Sequence, residues 1–447
     1  MSIEDKLYKL LKYYKNLPFP VKDVIGRLYR LVPKKLKYGG FYYLYLDRIK
    51  ENPKSFDALL KQQLELATQQ IPYYKNTNFE TIQDFPLINK SIIINDLQSF
   101  INKENSNYIK ANTGGSSGTP FEFYLEKGIS RPKEKAHFDW LWSQFGYNEN
   151  SKMLMIRGES LAGNKLYEYQ AIENRLAISC YLINETNINK VVNIINKFNP
   201  EFIHAYPSAI KIFLESVDKS DAQLKLNIKA VFLGSEGLYP GDKKLIEQYF
   251  NTKVAHWYGH SERLIHAGNC PYTDEFHIFP FYGYAELIDD EGDVIYEAGK
   301  IGRIVATGFD NAVMPFIRYD TGDLAEYSLS NSCKCGFVGK SFSVIQGRAQ
   351  NFIYLNDKTK VSLTAFMFGQ HFDEFSFIEE FQLEQEIYGK LILRLIVKDH
   401  NEFNIACFKK KLLESVKGKL EIKIKFVEFI PKTIRGKQIP LIQKIHN

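Results

Sequence analysis

The sequence lacks long apolar runs, a secretory leader and a dense set of cysteines. No apolar run approaches the roughly 20 residues that span a bilayer, and residues 1–6 do not have the basic-then-apolar layout of a signal peptide. Five cysteines, an odd number in a chain of 447 residues, argue against a disulfide framework. We therefore expect a cytoplasmic protein.

The sequence also lacks a strong excess of charge. The formal net charge is +6, and basic and acidic residues are interleaved along most of the chain, so we expect no nucleic-acid partner. Apolar residues make up 45%, as in ordinary soluble proteins, and the length allows two or three domains.

Residues 1–38 depart from this balance, with ten Lys/Arg against three Asp/Glu. Leu7, Leu10, Leu11 and Tyr14 recur at helical spacing in this segment. A basic amphipathic helix can associate weakly with an anionic membrane surface, or it can pack on its own domain, and the pattern leaves both alternatives open.

The remaining chain predicts an α/β fold. A helical lead-in extends to about residue 110, and strands then alternate with helices, which is typical of a parallel sheet covered on both faces. The strand candidates are 152–156, 202–206, 230–233 and 254–257, and the helix candidates are 188–198, 209–219 and 245–250. From about residue 280 the pattern changes to short β segments, which predict a small β subdomain.

The pattern changes again after Gly347 and Arg348. We predict a large N-terminal domain of mostly parallel sheets over residues 1–346. A small, mobile α+β domain is predicted over residues 347–447, with a helix at 403–420.

A glycine-rich loop at residues 113–120 is the first candidate site. Its side chains are small, so its backbone N–H groups can turn inward together and hold an anionic group such as phosphate. The loop is neither a GxxxxGK[ST] nor a GxGxxG motif, and taken alone it could be a flexible linker. Its candidate ligand-binding residues are Thr113, Gly114, Gly115, Ser116, Ser117, Gly118 and Thr119.

Further polar segments follow the predicted strands, where ligands of open α/β sheets bind. They are 234–237, 258–262, 318–323, 347–348 and 431–437. In the third of these, we expect a turn that ends a β segment and exposes Asp323.

In order and spacing, these segments and the loop resemble the motifs of the adenylate-forming superfamily. The resemblance covers about residues 55–447 and is nearest to the phenylacetate–CoA ligase branch and its CapK-like proteins of capsular polysaccharide loci. It implies an enzyme that uses ATP and Mg²⁺ to activate a carboxylic acid as acyl-adenylate, releasing pyrophosphate. The chemistry agrees, because such a transfer depends mainly on positioning and on neutralising phosphate charge.

The resemblance also implies roles for single residues near the phosphates. Residues 113–119 match the loop that holds the β- and γ-phosphates, and Ser261 matches the hydroxyl at the α-phosphate. Glu262 matches the Mg²⁺ ligand, a hard oxygen donor, although alone it could be a surface acid. Lys437 matches the catalytic lysine of the small domain, although alone it could be a solvated lysine of a lysine-rich region.

The nucleotide-binding roles follow in the same way. Tyr258 matches the residue that stacks on adenine, Asp323 the acid that accepts both ribose hydroxyls, and Arg348 the partner that reaches the ribose or phosphate. The other matched positions are Ser235, Glu236, Gly237, Gly259 and His260.

The sequence departs from the family pattern at three places. Phe121 follows the loop where many relatives have Lys or Thr, Gln350 and Asn351 replace an acidic hinge residue, and residues 361–372 differ where a thiol acceptor would approach. The acceptor therefore stays open between CoA, a carrier thiol, and a sugar amine or hydroxyl.

A second candidate site combines thiols with imidazole. Cys270, His277, Cys333 and Cys335 could form a closed, tetrahedral, structural zinc site, and relatives in the same branch show a similar arrangement. His266 is an alternative fourth ligand, and the alternative to the whole site is a set of reduced cysteines and a surface histidine. We expect Cys180 and Cys407 in the core.

The function that these observations predict is an AMP-forming acid ligase. One alternative is an enzyme that transfers AMP itself to a hydroxyl, as F390 synthetase-like relatives do, and another is a nucleotide-binding protein without catalysis. Trp140, Trp142, Arg157 and His204 are candidates for the acid pocket. The sequence indicates neither the acid nor the oligomeric state.

Overall fold

In the computed structural model, the chain divides into two compact units. The first is Met1–Glu236 with Lys244–Ile345, and the second is Gly237–Lys243 with Gln346–Asn447. The predicted domain boundary between residues 346 and 347 stays a prediction. The structure describes residues 13–14, 17–51, 56–112, 122–157, 165–179, 183–238, 241–348, 352–358, 360–368, 377–400, 402–416, 418–431 and 439–445.

Eleven α-helices lie within the described ranges. They are α1 Phe19–Leu31, α2 Lys34–Tyr38, α3 Gly40–Glu51, α4 Asp57–Gln70, α5 Lys90–Asn95, α6 Ser130–Ser143, α7 Ile188–Phe198, α8 Pro207–Asp218, α9 Asp242–Phe250, α10 Leu363–Phe368 and α11 Ile405–Ser415.

The strands of the described chain number twenty-one. They are β1 Tyr108–Asn112, β2 Glu122–Glu126, β3 Met153–Arg157, β4 Tyr167–Gln170, β5 Arg175–Ser179, β6 Phe202–Ala205, β7 Ala230–Gly234, β8 Lys253–Gly259, β9 His266–Cys270, β10 Thr273–Ile278, β11 Gly283–Ile288, β12 Val294–Ile295, β13 Ile301–Gly308, β14 Tyr319–Tyr327, β15 Ser341–Arg348, β16 Phe352–Tyr354, β17 Lys360–Ser362, β18 Ile378–Ile387, β19 Lys390–Val397, β20 Glu421–Phe426 and β21 Leu441–Gln443.

One sheet of thirteen strands organises the first unit, in the order β12-β11-β13-β14-β15-β10-β9-β8-β7-β6-β3-β5-β4. Strands β5, β3, β6, β7 and β8 pair in parallel. Strands β6 and β7 are buried at every residue, as expected for parallel strands covered on both faces. The α/β fold class is confirmed, and the β segments predicted after residue 280 belong to the antiparallel part of this same sheet.

The helices between the parallel strands begin and end where local chemistry predicts. Helix α7 buries Val191, Val192 and Ile195, and Asn199 ends it in the left-handed region at φ 51°. Helix α8 starts with Pro207 in the first turn, where a missing N–H costs little.

The lead-in is bonded to the start of β14, and this contact fixes the segment that precedes Asp323. The buried guanidinium of Arg318 lies 3.3 Å from the carboxylate of Glu286 and donates to the carbonyls of Gln83 and Phe85. The Ile88 N–H donates to the Arg318 carbonyl at 3.0 Å. A buried cation paired and hydrogen-bonded in this way costs a great deal to disturb, because breaking one partner leaves an uncompensated charge.

The second unit contains a four-stranded sheet in the order β20-β19-β18-β21. Strands β18 and β19 are antiparallel, and both β20 and β21 join the sheet in parallel. The helix predicted at 403–420 is shorter, since Asn404 accepts from the Cys407 N–H at the start and Gly418 adopts φ 71° beyond the end.

Candidate nucleotide site and thiol cluster

Two of the predicted nucleotide-binding residues, Tyr258 and Asp323, are in direct contact. The Tyr258 hydroxyl donates to Oδ2 of Asp323 at 2.6 Å. Burial, followed by the negative charge of Asp323, raises the pKa of Tyr258 well above its usual value, so the phenol stays protonated and can donate. The two segments, 65 residues apart in sequence, therefore meet in one place.

This contact requires a curled sheet. Strands β8 and β14 are separated in the sheet by β9, β10 and β15. Four spacings of about 4.8 Å would place the two strands about 19 Å apart if the sheet were flat. The antiparallel part of the sheet therefore bends until residues of β8 and β14 face each other.

Glu262 lies beside this pair and is buried. The Tyr319 hydroxyl donates to its Oε1 at 3.1 Å, and the Nδ1 of His260 is 3.3 Å from its Oε2. Burial tends to raise the pKa of Glu262, but the hydrogen bonds from His260 and Tyr319 outweigh it and hold the pKa below its usual value. The carboxylate is therefore ionised near neutral pH. We call Tyr258, Glu262, Tyr319 and Asp323 the carboxylate cluster.

Asp323 does not follow the end of a strand, so that prediction is wrong. Strand β14 continues through it, and the register with β13 shifts between Arg303 and Val305. Gly322 adopts φ 74°, and the Asp323 N–H donates to Oγ1 of Thr321 at 3.1 Å. The distortion is therefore an irregularity inside the strand, of the kind that redirects a side chain next to a site.

In the segment 234–237, at the end of β7, the residues contact other parts of the fold. A Cβ on Gly234 would lie 2.2 Å from the Trp257 ring, so only glycine fits there. Ser235 has φ 68°. The Glu236 carboxylate accepts from the N–H and the hydroxyl of Ser208, both at 3.0 Å, and so caps the first turn of α8.

For the other predicted site residues, the structure gives only a position in the chain, or they lie outside the described residues. Ser261 is exposed next to the buried Glu262, while Gly259 ends β8 and pairs with His266. Arg348 ends β15. Lys437 and residues 113–121, which include the glycine-rich loop and Phe121, lie outside the described residues, as do Gln350, Asn351 and Cys180.

The strands that flank the glycine-rich loop restrict its interpretation. Strands β1 and β2 are antiparallel partners, with Asn112 opposite Glu122, so the loop connects two paired strands. Residues 114–118 also fit the letters Gly-x-Ser-x-Gly of a hydrolase nucleophile elbow. That elbow needs a strand followed by a helix, and here a strand follows.

The four predicted zinc ligands come together, and we call Cys270, His277, Cys333 and Cys335 the thiol cluster. Their ligand atoms all lie within 4.8 Å of one another. The Sγ atoms of Cys270 and Cys333 are 3.6 Å apart, and Sγ of Cys335 is 3.4 Å from Nε2 of His277. Tetrahedral zinc with bonds of about 2.3 Å to sulfur and about 2.0 Å to nitrogen requires separations of roughly 3.5–3.8 Å.

The surroundings of His277 also suit a metal ligand. Its Nδ1 is 3.0 Å from the Ser341 hydroxyl, and its other ring nitrogen, Nε2, faces Sγ of Cys335. Burial lowers the pKa of His277 to about 4, so the imidazole is neutral at pH 7. The residues present therefore fit a structural zinc ion.

His266 is not part of this cluster, so the alternative ligand is wrong. Its ring packs among aromatic rings, 4.6 Å from Phe138 and 5.2 Å from Phe279 between centroids. Burial lowers its pKa to about 4. Cys407 was expected in the core and is partly exposed on α11, so that prediction is also wrong.

The acid-pocket candidates are partly in contact. Trp142 stacks on Phe232 with centroids 4.6 Å apart, and His204 meets its edge at 5.0 Å. Trp140 packs against Phe279, and the Arg157 side chain lies outside the described residues. Their role as pocket residues stays a prediction.

Sequence reasoning missed Tyr319, although it lies inside a segment that was singled out. It occupies the first position of β14, and an aromatic residue there is typical of any strand, so it gives no sign of a functional role. Its hydroxyl bond to Glu262 spans 57 residues of sequence, and no local pattern reports such a contact.

The comparison with family models finds no match. Among curated proteins, the chain is similar to Protein CapK of Staphylococcus aureus, 24% identical over 455 residues, covering 98% of this chain and 94% of that one. It is also similar to phenylacetate–coenzyme A ligase of Thermus thermophilus, 28% identical over 169 residues, or 37% of this chain and 38% of the relative.

Solved structures give the same picture of the fold. The chain is similar to 2-hydroxyisobutyryl-CoA ligase in the postadenylation state in complex with R3-HIB-AMP, with a TM-score of 0.65, 15% identity, and coverage of 86% of this chain and 88% of that one. An open conformation of that ligase with 2-HIB-AMP and CoA gives a TM-score of 0.55, at 16% identity and coverage of 86% and 90%.

The motifs, the fold and the two curated relatives agree. They support the assignment of this chain to the adenylate-forming superfamily, as a protein similar to CapK over nearly its whole length and to phenylacetate–coenzyme A ligase over about a third of it.

Proposed function

We propose that this protein is an ATP-dependent, AMP-forming ligase that activates a carboxylic acid and passes the acyl group to a nucleophile. The carboxylate cluster carries the proposal, because it gathers the acids and the aromatic residue that the superfamily resemblance assigns to the nucleotide and its metal. The similarity to proteins named as acyl-CoA ligases supports it.

In the first step, a carboxylate oxygen of the substrate attacks the α-phosphorus of ATP. The bond from that phosphorus to the β-phosphate oxygen breaks, and the products are acyl-AMP and pyrophosphate. Asp323 holds the ribose, since a carboxylate has about four acceptor sites, enough for Tyr258 and for both ribose hydroxyls. The Tyr258 hydroxyl thus orients Asp323 before the nucleotide binds.

Several groups would balance the charge of the phosphates. Glu262, ionised and held by Tyr319, would carry Mg²⁺, which offsets the charge of the leaving pyrophosphate. The glycine-rich loop at 113–119 would bind the β- and γ-phosphates, and Ser261 the α-phosphate. From the superfamily resemblance, Arg348 would contact the ribose or a phosphate, and Lys437 would bridge the reacting carboxylate and the α-phosphate.

In the second step, an acceptor attacks the acyl carbon and AMP leaves. CoA is one candidate, since a ligase of similar fold has been solved with CoA and an acyl-adenylate. A carrier thiol or a sugar amine or hydroxyl is another, and the resemblance to CapK-like proteins of capsular polysaccharide loci favours an acceptor used in polysaccharide biosynthesis. We place the reaction in the cytoplasm, where ATP is available.

The thiol cluster would bind one zinc ion outside this chemistry. Three sulfur ligands and one nitrogen ligand complete a tetrahedral shell and leave no position for substrate, which is the pattern of a structural site. The zinc ion would link β9 and β10 to the turn before β15.

The test is a pyrophosphate-release screen with ATP, Mg²⁺ and a panel of carboxylic acids that includes amino, hydroxy and sugar acids. We expect release that depends on one acid and that falls sharply in Asp323→Asn. The matched control is Glu291→Gln, an exposed acid in the turn between β11 and β12. Release without any acid, but dependent on a hydroxyl compound, would instead identify AMP transfer.

A further inference from the structure

Helix α1 exposes an apolar stripe that the proposed reaction does not use. Val21, Val24, Leu28 and Leu31 are exposed by 44%, 55%, 60% and 80%. Their spacing of three, four and three residues places them on one face of the helix. Isolated exposed apolar residues are normal, but a row of four on one helical face marks an interaction surface.

The opposite face of α1 is fixed to the first unit. A Cβ on Gly26 would lie 2.4 Å from the carbonyl oxygen of Ala171, so the backbone of α1 is in close contact with the turn between β4 and β5. The guanidinium of Arg30 donates to the same carbonyl. At about 100° per residue, Gly26 lies roughly 180° from the middle of the stripe. The contact therefore holds the stripe facing away from the unit.

The helices that follow α1 in sequence, α2 and α3, carry further exposed apolar residues. Lys37 of α2 donates to the carbonyl of Arg30 at 3.1 Å, which joins α2 to α1. Leu36, Phe41 and Leu44 are also exposed. Together with the stripe on α1, they form what we call the N-terminal apolar surface.

The charge around this surface is strongly positive. Residues 18–50 contain eight Lys/Arg and two Asp, a net charge of 8 − 2 = +6, which equals the formal net charge of the whole chain. Lys34 lies 3.8 Å from the Asp139 carboxylate and Lys37 is paired with the Glu149 carboxylate, so 6 − 2 = +4 remains to attract an outside partner. Arg27, Lys35 and Lys50 are among the exposed cations.

We propose that the N-terminal apolar surface binds the surface of an anionic lipid bilayer, with α1 lying in the interface. Exposed Val and Leu would enter the boundary between headgroups and acyl chains, and the surrounding Lys/Arg would pair with lipid phosphates. In the described ranges, the helices are too short or too polar to cross a bilayer, so the binding is interfacial. A second copy of the chain is a poorer partner, because it would bring two surfaces of like charge together.

The experiment is sedimentation of the full chain with vesicles of phosphatidylcholine, with or without phosphatidylglycerol. We expect binding to the anionic vesicles, little binding to the neutral ones, and weaker binding at high salt. Leu28→Ser/Leu31→Ser should reduce the affinity at least about tenfold, because two apolar anchors are lost. The matched control, Leu245→Ser/Leu329→Ser, removes two exposed leucines elsewhere and should bind like the parent chain.

A second measurement locates the contact. Leu28→Trp should gain fluorescence that brominated anionic lipids quench, whereas the parent chain, with its three native tryptophans, should show little quenching. Circular dichroism of every variant checks that it is folded. Equal binding by the stripe variant, or no binding of the folded parent to anionic vesicles, would overturn the proposal. A dimer that dissociates in Leu28→Ser/Leu31→Ser would also overturn it, because a second copy would then cover the stripe.

Discussion

The carboxylate cluster and the thiol cluster are built from the same curled sheet but differ in the atoms that they offer. The carboxylate cluster presents oxygen atoms from β8, β14 and the corner after β8, and its acids already accept hydrogen bonds from tyrosines. The thiol cluster presents sulfur and nitrogen from β9, β10 and the turn before β15. Oxygen ligands suit an exchangeable Mg²⁺–nucleotide, whereas three thiols and an imidazole suit a zinc ion that stays bound.

From this difference we expect the carboxylate cluster to determine the reaction and the thiol cluster to determine the stability of the fold. Damage to the carboxylate cluster and its partners should reduce turnover and leave the fold intact. Damage to the thiol cluster should reduce stability and leave ATP recognition largely intact in the protein that remains folded. The four predictions that follow test this separation, from the largest expected effect to the smallest.

Lys437→Ala should have the largest effect on turnover. Removing the cation that we propose to bridge the carboxylate and the α-phosphate should slow adenylate formation by about 10²–10³-fold, the range measured when a group that stabilises developing charge is removed. Pyrophosphate release at saturating ATP measures the rate, and equilibrium dialysis should show ATP binding preserved.

Lys432→Ala is the matched control, because it removes a lysine of the same C-terminal segment. Its turnover should equal that of the parent chain. If Lys437→Ala also turned over normally, that lysine would have no part in the mechanism.

Cys333→Ser/Cys335→Ser should have the largest effect on stability. Losing two of four ligands should release the zinc, and the melting temperature should fall because metal-binding free energy is then lost from the folded state. Elemental analysis should give about one zinc per parent chain and far less for the variant. Cys407→Ser, a cysteine on α11 of the second unit, should keep both zinc and melting temperature. A parent chain purified with reductant and containing no zinc would reject the site.

Asp323→Ala should weaken nucleotide binding while the fold persists. Each hydrogen bond to the charged carboxylate contributes about 1.5–3 kcal/mol, so ATP affinity should fall by roughly 10- to 150-fold for one bond lost. Isothermal titration calorimetry measures the dissociation constant. Tyr258→Phe, which keeps the ring and removes only the hydroxyl, should have a smaller effect, and an unaltered affinity in Asp323→Ala would refute the ribose role.

Tyr319→Phe should have the smallest effect. It removes one hydrogen bond to Glu262, worth about 0.5–1.5 kcal/mol, so the Mg²⁺ concentration for half-maximal turnover should rise roughly 2- to 10-fold. Tyr327→Phe is the matched control, a buried tyrosine of the same strand whose hydroxyl donates to the Ala285 carbonyl. Equal Mg²⁺ dependence in both variants would show that Tyr319 has no role in binding the metal.

The order of strands and helices between residues 152 and 257 could be predicted from the sequence, because strands buried on both faces of the sheet have continuous apolar sequences. Strands β6 and β7 show this pattern directly. The ligand spacing of Cys333 and Cys335 was equally readable, since a tight turn must place two nearby thiols on one side.

The sequence could not predict features that depend on the curvature of the sheet or on single contacts between distant residues. The bond between Tyr258 and Asp323 requires the sheet to bend, and bending is set by packing throughout the unit. The irregularity at Gly322 looks like a turn in the sequence, because Thr-Gly-Asp is turn chemistry in either setting. His266 looked like a metal ligand until its aromatic neighbours, from α6 and from beyond β10, were in place.

The central claim is that a carboxylic acid, and no other group, attacks the α-phosphate. The direct measurement uses the acid that stimulates pyrophosphate release, labelled in both carboxylate oxygens with a heavy isotope, and analyses the AMP by mass spectrometry after acyl transfer. The account predicts that AMP carries one labelled oxygen, because the carboxylate oxygen stays on phosphorus when the acyl carbon is attacked. AMP without label would contradict acyl-adenylate formation.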